Sequence, residues 1–225
     1  MNYKNCEEYL SKPRIGKYKV ACGGDEQKAL RLYILNMEVS RKFHSVIGLF
    51  EVVLRNAIDK HYINHFNDKE WILNQIPENF FETRVVSSIV KEKEKLASVN
   101  SYSHDRLVSV MNFGFWAKMF FKHQFIRGDR TILAIFPNKA KGVNQKTIAE
   151  EIDKVKLLRN RISHCEPICF DKKGKISMVH ARYILKLLNK YFYFLGIPKD
   201  VIELSDFSEL YNLLRQSNIA KRLNG

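Results

Sequence analysis

The chain has few cysteines, few acids and no long apolar run, and each shortage narrows what it can be. Its cysteines are Cys6, Cys22, Cys165 and Cys169, with no CxxC pair among them. That leaves no paired zinc-binding array and, without a secretory signal, suggests free thiols in a reducing compartment. The string "HCEPIC" places His164, Cys165 and Cys169 close together but has no second ligand pair elsewhere, so the two thiols read as small core side chains. The longest apolar stretch, "VIGLFEVVL", is short and broken by Glu51, so no membrane span is expected. The opening "MNYKNCEEYLSKPR" lacks an apolar centre and carries early acids, which argues against a secretory leader and for a cytoplasmic protein. There is no internal repeat, low-complexity tract, glycine-rich phosphate loop, paired metal carboxylates or nucleophile elbow. The expected complement of metals and cofactors is therefore none.

The acid shortage sets the charge. Against 38 lysines and arginines stand 24 aspartates and glutamates, a formal charge of +14 over 225 residues. A polyanionic partner is favoured, because neutralising phosphates releases counterions and steers association. With 45% hydrophobic residues and charges mixed along the sequence, the chain is long enough to bury a sizeable core.

What is abundant is helical periodicity. After "CGGD", with Asp25 as a plausible N-cap, apolar residues recur every three or four positions from Leu32 to Tyr62. That run exceeds a usual globular helix, so a break is expected near Ser40–Gly48. Further helices are predicted over about Phe80–Val99, Arg106–Lys122, Lys146–Cys165, Met178–Leu195 and Phe207–Leu223, with a short one near Thr131. Asn144 or Thr147 is placed to cap the Lys146–Cys165 helix. The expectation is one all-α domain over 1–225, with its core at about 25–195 and a helical tail from about 196.

The Lys146–Cys165 segment carries the polar group that points to chemistry. At about 100° per residue, Ile152, Val155, Leu158, Ile162 and Cys165 form one stripe, while Asn160 and His164 point nearly opposite it. Arg161 lies beside His164, and Arg159 sits on the flank, about 140° from His164. Pro167 turns Glu166 out of the helix and leaves His164 near its carboxyl end, where the helix dipole favours a cation. Such a histidine beside guanidinium groups suits attack on RNA, whose 2′-hydroxyl is an internal nucleophile. His164 would move the proton and Arg159 would stabilise charge at phosphorus, without a metal. Two copies of the helix in a symmetric dimer would bring these separated groups into one cleft.

The string "LLRNRISHCEPI" resembles the signature of the Abi-like family of bacterial abortive-infection proteins (AbiD/AbiF type), a branch of the HEPN superfamily. "RLYILNMEVSRKFHSVIGLFEVVLRNAI" and "VSVMNFGFWAKMF" look like the same family, so the likeness runs from about Leu30 to Ile168. It implies a HEPN-like helical bundle and a homodimeric, metal-independent endoribonuclease acting as a toxin or antiviral defence effector. Arg159, Asn160 and His164 match the motif and would be catalytic. Cys165 departs from it, standing where the family often has a second histidine. Glu51 and Arg55, four residues apart, read either as an intrahelical ion pair or, as the resemblance implies for an amino-terminal helix, as support for the site. Arg161, three residues from His164, is a further supporting candidate. Lys139, Lys141, Lys146, Lys172 and Lys173 flank the motif helix as expected RNA contacts, although solvated loops explain them nearly as well. The alternatives are a non-catalytic RNA-binding module and an interaction partner of an antitoxin protein or RNA. Phe113, Trp116, Met119 and Phe120, which could offer stacking rings, are better explained as core.

Overall fold

A computed structural model describes residues 2–215, 219, 222 and 223. Among them every regular element is helical, and extended backbone pairs only in an isolated antiparallel bridge between Phe170 and Ile176. No helix among the described residues is long and apolar enough to cross a membrane.

The longest element is one helix, Glu26–Phe66. Gly23 and Gly24 adopt positive φ and end the preceding helix, and Asp25 then accepts a hydrogen bond from the Lys28 amide at 2.9 Å. The break expected near Ser40–Gly48 is absent. The buried positions Leu35, Val39, Phe43, Val46, Phe50 and Leu54 stay in phase across that stretch. The cost of a mid-helix Gly48, about 1 kcal/mol, is small beside the burial of such a stripe, each large side chain contributing about 1.5–3 kcal/mol.

The chain divides into two compact units, and three of its helices contribute residues to both. The first comprises Met1–Leu49, Leu157–Asn189 and Pro198–Gly225. It opens with two helices that the apolar pattern does not announce, Tyr3–Leu10 and Lys12–Ala21. Asn2 caps the first, Pro13 stands at the start of the second, and together they bury Tyr3, Ile15 and Tyr18. The Tyr18 ring meets Tyr33 and Phe170 edge-on at 5.2 and 5.1 Å. Lys42, 5% exposed, pairs with Asp206 and Glu209 and ties the carboxyl-terminal segment to the long helix. The last helix runs Phe207–Leu213, and its expected extension to Leu223 reaches beyond the continuously described residues.

The second unit comprises Phe50–Lys156 and Lys190–Ile197. The helix expected over Arg106–Lys122 is two short ones, His104–Val110 and Phe113–Lys118, and a further helix, Lys122–Arg127, begins where it was expected to end. The reason is Asn112, which leaves helical geometry and accepts from the Phe115 amide at 3.1 Å, starting a new helix. Phe113, Trp116, Met119 and Phe120 are all buried, as their spacing predicts. A polar knot lies inside this unit. Asp59 Oδ1 accepts from Trp71 Nε1 at 2.8 Å and pairs with His104 Nε2 at 2.7 Å, while Tyr102 donates to Glu70. His61, half-buried, contacts Thr131 at 3.0 Å and stacks on His65.

Candidate functional site

The motif helix runs Gln145–Ser163, and Asn144 is its cap, accepting from the Thr147 amide at 3.0 Å. Ile152, Val155 and Leu158 are buried, Ile162 is half-buried, and Asn160 and His164 are exposed. The polar face expected from the helical wheel is therefore present. Cys165 departs from the expectation: it is exposed, and it lies outside the helix with φ +53°. Glu166 N donates to Arg161 O at 2.8 Å and Cys165 N to Ile162 O at 2.9 Å. This pair of bonds closes the helix in a Schellman motif, with His164 as the C-cap residue and Cys165 at the left-handed position. The helical stripe stops one residue short of Cys165, so the thiol turns to solvent. Of the cysteines, all free, Cys169 is the core member. Burial drives its thiol up to about 12.

A left-handed residue with a Cβ is strained by about 1–2 kcal/mol, part of which glycine would return to the unfolded chain as entropy. Cys165→Gly is therefore expected to raise stability by about 1 kcal/mol, seen as a melting temperature about 2–4 °C higher. An unchanged or lowered melting point would show the position to be unstrained.

The backbone after His164 is held from three sides. Arg14 Nη1 donates to Cys165 O at 3.0 Å, and Arg161 Nη2 donates to Pro167 O at 2.5 Å while its Nε pairs with Glu166 at 3.3 Å. Asn36, 2% exposed, accepts from the Ile168 amide at 2.8 Å. Arg161, expected beside His164 as a supporting group, braces this turn. Neither Arg14 nor Asn36 carries a site signal in sequence, although Asn36 is conspicuous as an amide beside Leu35 and Val39 on the apolar face of its helix. Comparison with protein-family models, with curated proteins and with solved structures finds no match to this chain.

Arg159, Asn160, Arg161 and His164 all belong to the first unit, with Arg159 half-buried. Glu51 and Arg55 belong to the second. There Glu51 is half-buried, and Arg55 Nη1 donates to Ser109 O at 3.1 Å, its Nε buried without a hydrogen-bond partner. Of the flanking lysines, Lys139 is half-buried and donates to Val143 O at 3.0 Å, whereas Lys141 and Lys146 are exposed. Lys172 and Lys173 stand exposed on a loop closed by the Phe170–Ile176 bridge. Asp171 Oδ1 accepts from the amides of Lys173 and Lys175 at 2.8 and 2.9 Å, and Gly174 takes positive φ at the turn. An open groove of about 570 Å³ lies between this loop and the start of the Val179–Phe194 helix, with Arg161, Phe170, Lys172, His180 and Tyr183 among its lining. Sequence reasoning missed Phe170, His180 and Tyr183. Among the described residues no group of three or more histidine, cysteine or acidic side chains is placed to hold a metal ion.

Proposed function

We propose that this chain is a metal-independent endoribonuclease of the HEPN type, built as a HEPN-like helical bundle and acting as an abortive-infection or toxin effector on RNA. The observation that carries the reading is the exposed pair Asn160 and His164, one helical turn apart at the end of a helix whose opposite side is core. The pinned turn after His164 supports it, because a proton-transfer group needs a fixed position more than it needs burial. The reading also accounts for the +14 charge.

A second copy of the chain completes the arrangement. Leu157 is 52% exposed, seven residues before His164 and therefore on the same face. An identical helix packed on this face about a two-fold axis would cover Leu157 and bring the two sets of Arg159, Asn160 and His164 together. In the paired site, one His164 imidazole accepts the proton of the 2′-hydroxyl as its oxygen attacks phosphorus. The P–O5′ bond breaks, and the departing 5′-oxygen takes a proton from the protonated His164 of the second copy. Arg159 stabilises the negative charge on the non-bridging oxygens, and Asn160 orients the imidazole or the phosphate.

The test is cleavage of RNA by the purified protein in excess EDTA. Products with 2′,3′-cyclic phosphate and 5′-hydroxyl ends are expected, from a protein that sediments as a dimer. Fragments with 5′-phosphates that require Mg²⁺, or full activity from a strict monomer, would reject the mechanism.

A further inference from the structure

The groove beside the motif helix has a chemistry of its own. Phe170 is fixed by its bridge to Ile176 and by the edge-on contact with Tyr18. Tyr183, 38% exposed, projects from a helix that buries Ala181, Ile184, Leu185, Leu187 and Leu188. Its ring stands on the outer side of that helix, partly open to the groove. The cations at the groove are Lys172 and Arg161, the latter also engaged by Glu166 and by Pro167 O, with Lys173 and Lys175 on the same loop. The acid at the groove, Asp171, has a carboxylate oxygen committed to the backbone of its own turn. The combination of two rings and a positive rim, in a volume within the range of about 300–1,000 Å³ typical of small-ligand sites, is complementary to a base carrying a phosphate.

We infer that this groove binds one unpaired nucleotide of a single-stranded RNA, stacking its base on Tyr183 and Phe170 and holding its phosphate between Lys172 and Arg161. The inference rests on RNA as the substrate class and specifies its form. Bases inside a duplex already stack on one another and present no free face to a protein ring, so paired RNA is excluded from the groove. Arg161 belongs both to the groove and to the motif helix. A nucleotide held there anchors the strand next to the helix end that carries His164, and loops or tails are selected over stems.

The experiment measures binding to a short single-stranded oligoribonucleotide, fully 2′-O-methylated so that it cannot be cut by its own hydroxyl. Fluorescence polarisation at fixed salt compares wild type with Tyr183→Ala, Tyr183→Trp and Lys172→Ala. Tyr183→Ala should weaken binding about tenfold, and Tyr183→Trp should restore it, which a folding defect at this position would not allow. Lys172→Ala should weaken binding and lower the slope of log Kd against log salt by about one. Equal affinity of Tyr183→Ala and wild type would overturn the inference. So would equal affinity for a duplex of the same sequence, or displacement of the strand by polyglutamate at matched charge. Because the strand cannot react, the result is independent of catalysis. Tyr183-dependent binding by a protein that cuts no RNA leaves this site standing and removes the nuclease, while cleavage unaffected by a groove that binds nothing does the reverse.

Discussion

Replacing His164 with alanine is expected to lower RNA cleavage by about a hundred- to ten-thousandfold, the usual contribution of a positioned general acid or base. Growth arrest on expression should disappear with it. His164 is exposed at the C-cap and takes part in the closing turn through its backbone, donating from N to Asn160 O at 3.0 Å. Alanine preserves that bond, so the variant should fold, melt and bind RNA like wild type. Arg159→Lys should fall between wild type and Arg159→Ala, because lysine keeps the charge but not the planar fork that grips two phosphate oxygens. A His164→Ala protein that cuts RNA at the wild-type rate would sink the nuclease reading. One that loses binding along with cleavage would point to the RNA-binding role instead.

The largest loss of stability is expected inside the second unit, at Asp59. Its Oδ1 serves both Trp71 Nε1 and His104 Nε2, and Trp71 is fully buried with His104 at 7% exposure. Asp59→Ala strands two buried donors at once, at a cost of about 3–5 kcal/mol, or a drop of about 10 °C in melting temperature. The pH dependence carries a definite sign. Burial alone would lower the His104 pKa, but the hydrogen bond and charge of Asp59, with Glu70 and Asp105, outweigh it and raise the imidazole above the ordinary histidine value. The folded state therefore binds the His104 proton more tightly than the unfolded chain does. That stabilisation is fully present below about pH 6.5 and is lost as pH rises through the raised folded value. Thermal melts at successive pH values should show wild type losing more stability across this window than Asp59→Asn, and identical slopes would show the pair to be energetically silent.

Much of the helical architecture was legible because burial in a helix leaves a periodic trace. The positions from Leu32 to Tyr62 sit on a stripe fixed by local geometry alone, and so do those from Ile152 to Leu158. Where packing is weak the trace fades: "YKNCEEYL" forms a helix, Tyr3–Leu10, with Tyr3 as its only buried residue. Conversely, the strong pattern from Phe113 to Phe120 hid the break before it, because a cap at Asn112 changes hydrogen bonding without disturbing apolar spacing. The polar face of the motif helix could be placed from the wheel, with the helix ending at Ser163 and not Cys165, but the clamp on its far end could not. Arg14 lies 151 positions before the carbonyl it holds, and Asn36 lies 132 before the amide it accepts from. Contacts over such separations leave no local periodicity to detect.

The lysine-bearing loop that follows Cys169 draws its shape from itself. Asp171 and Gly174 supply the geometry, while Lys172 and Lys173 contribute nothing to it that their backbones would not. Side chains at those two places can therefore be exchanged, neutralised or reversed in sign with the scaffold unmoved. If the proposed RNA contact holds, the strength of its electrostatic grip is thus a dial set apart from the foldedness of the protein, open to directed evolution in the laboratory.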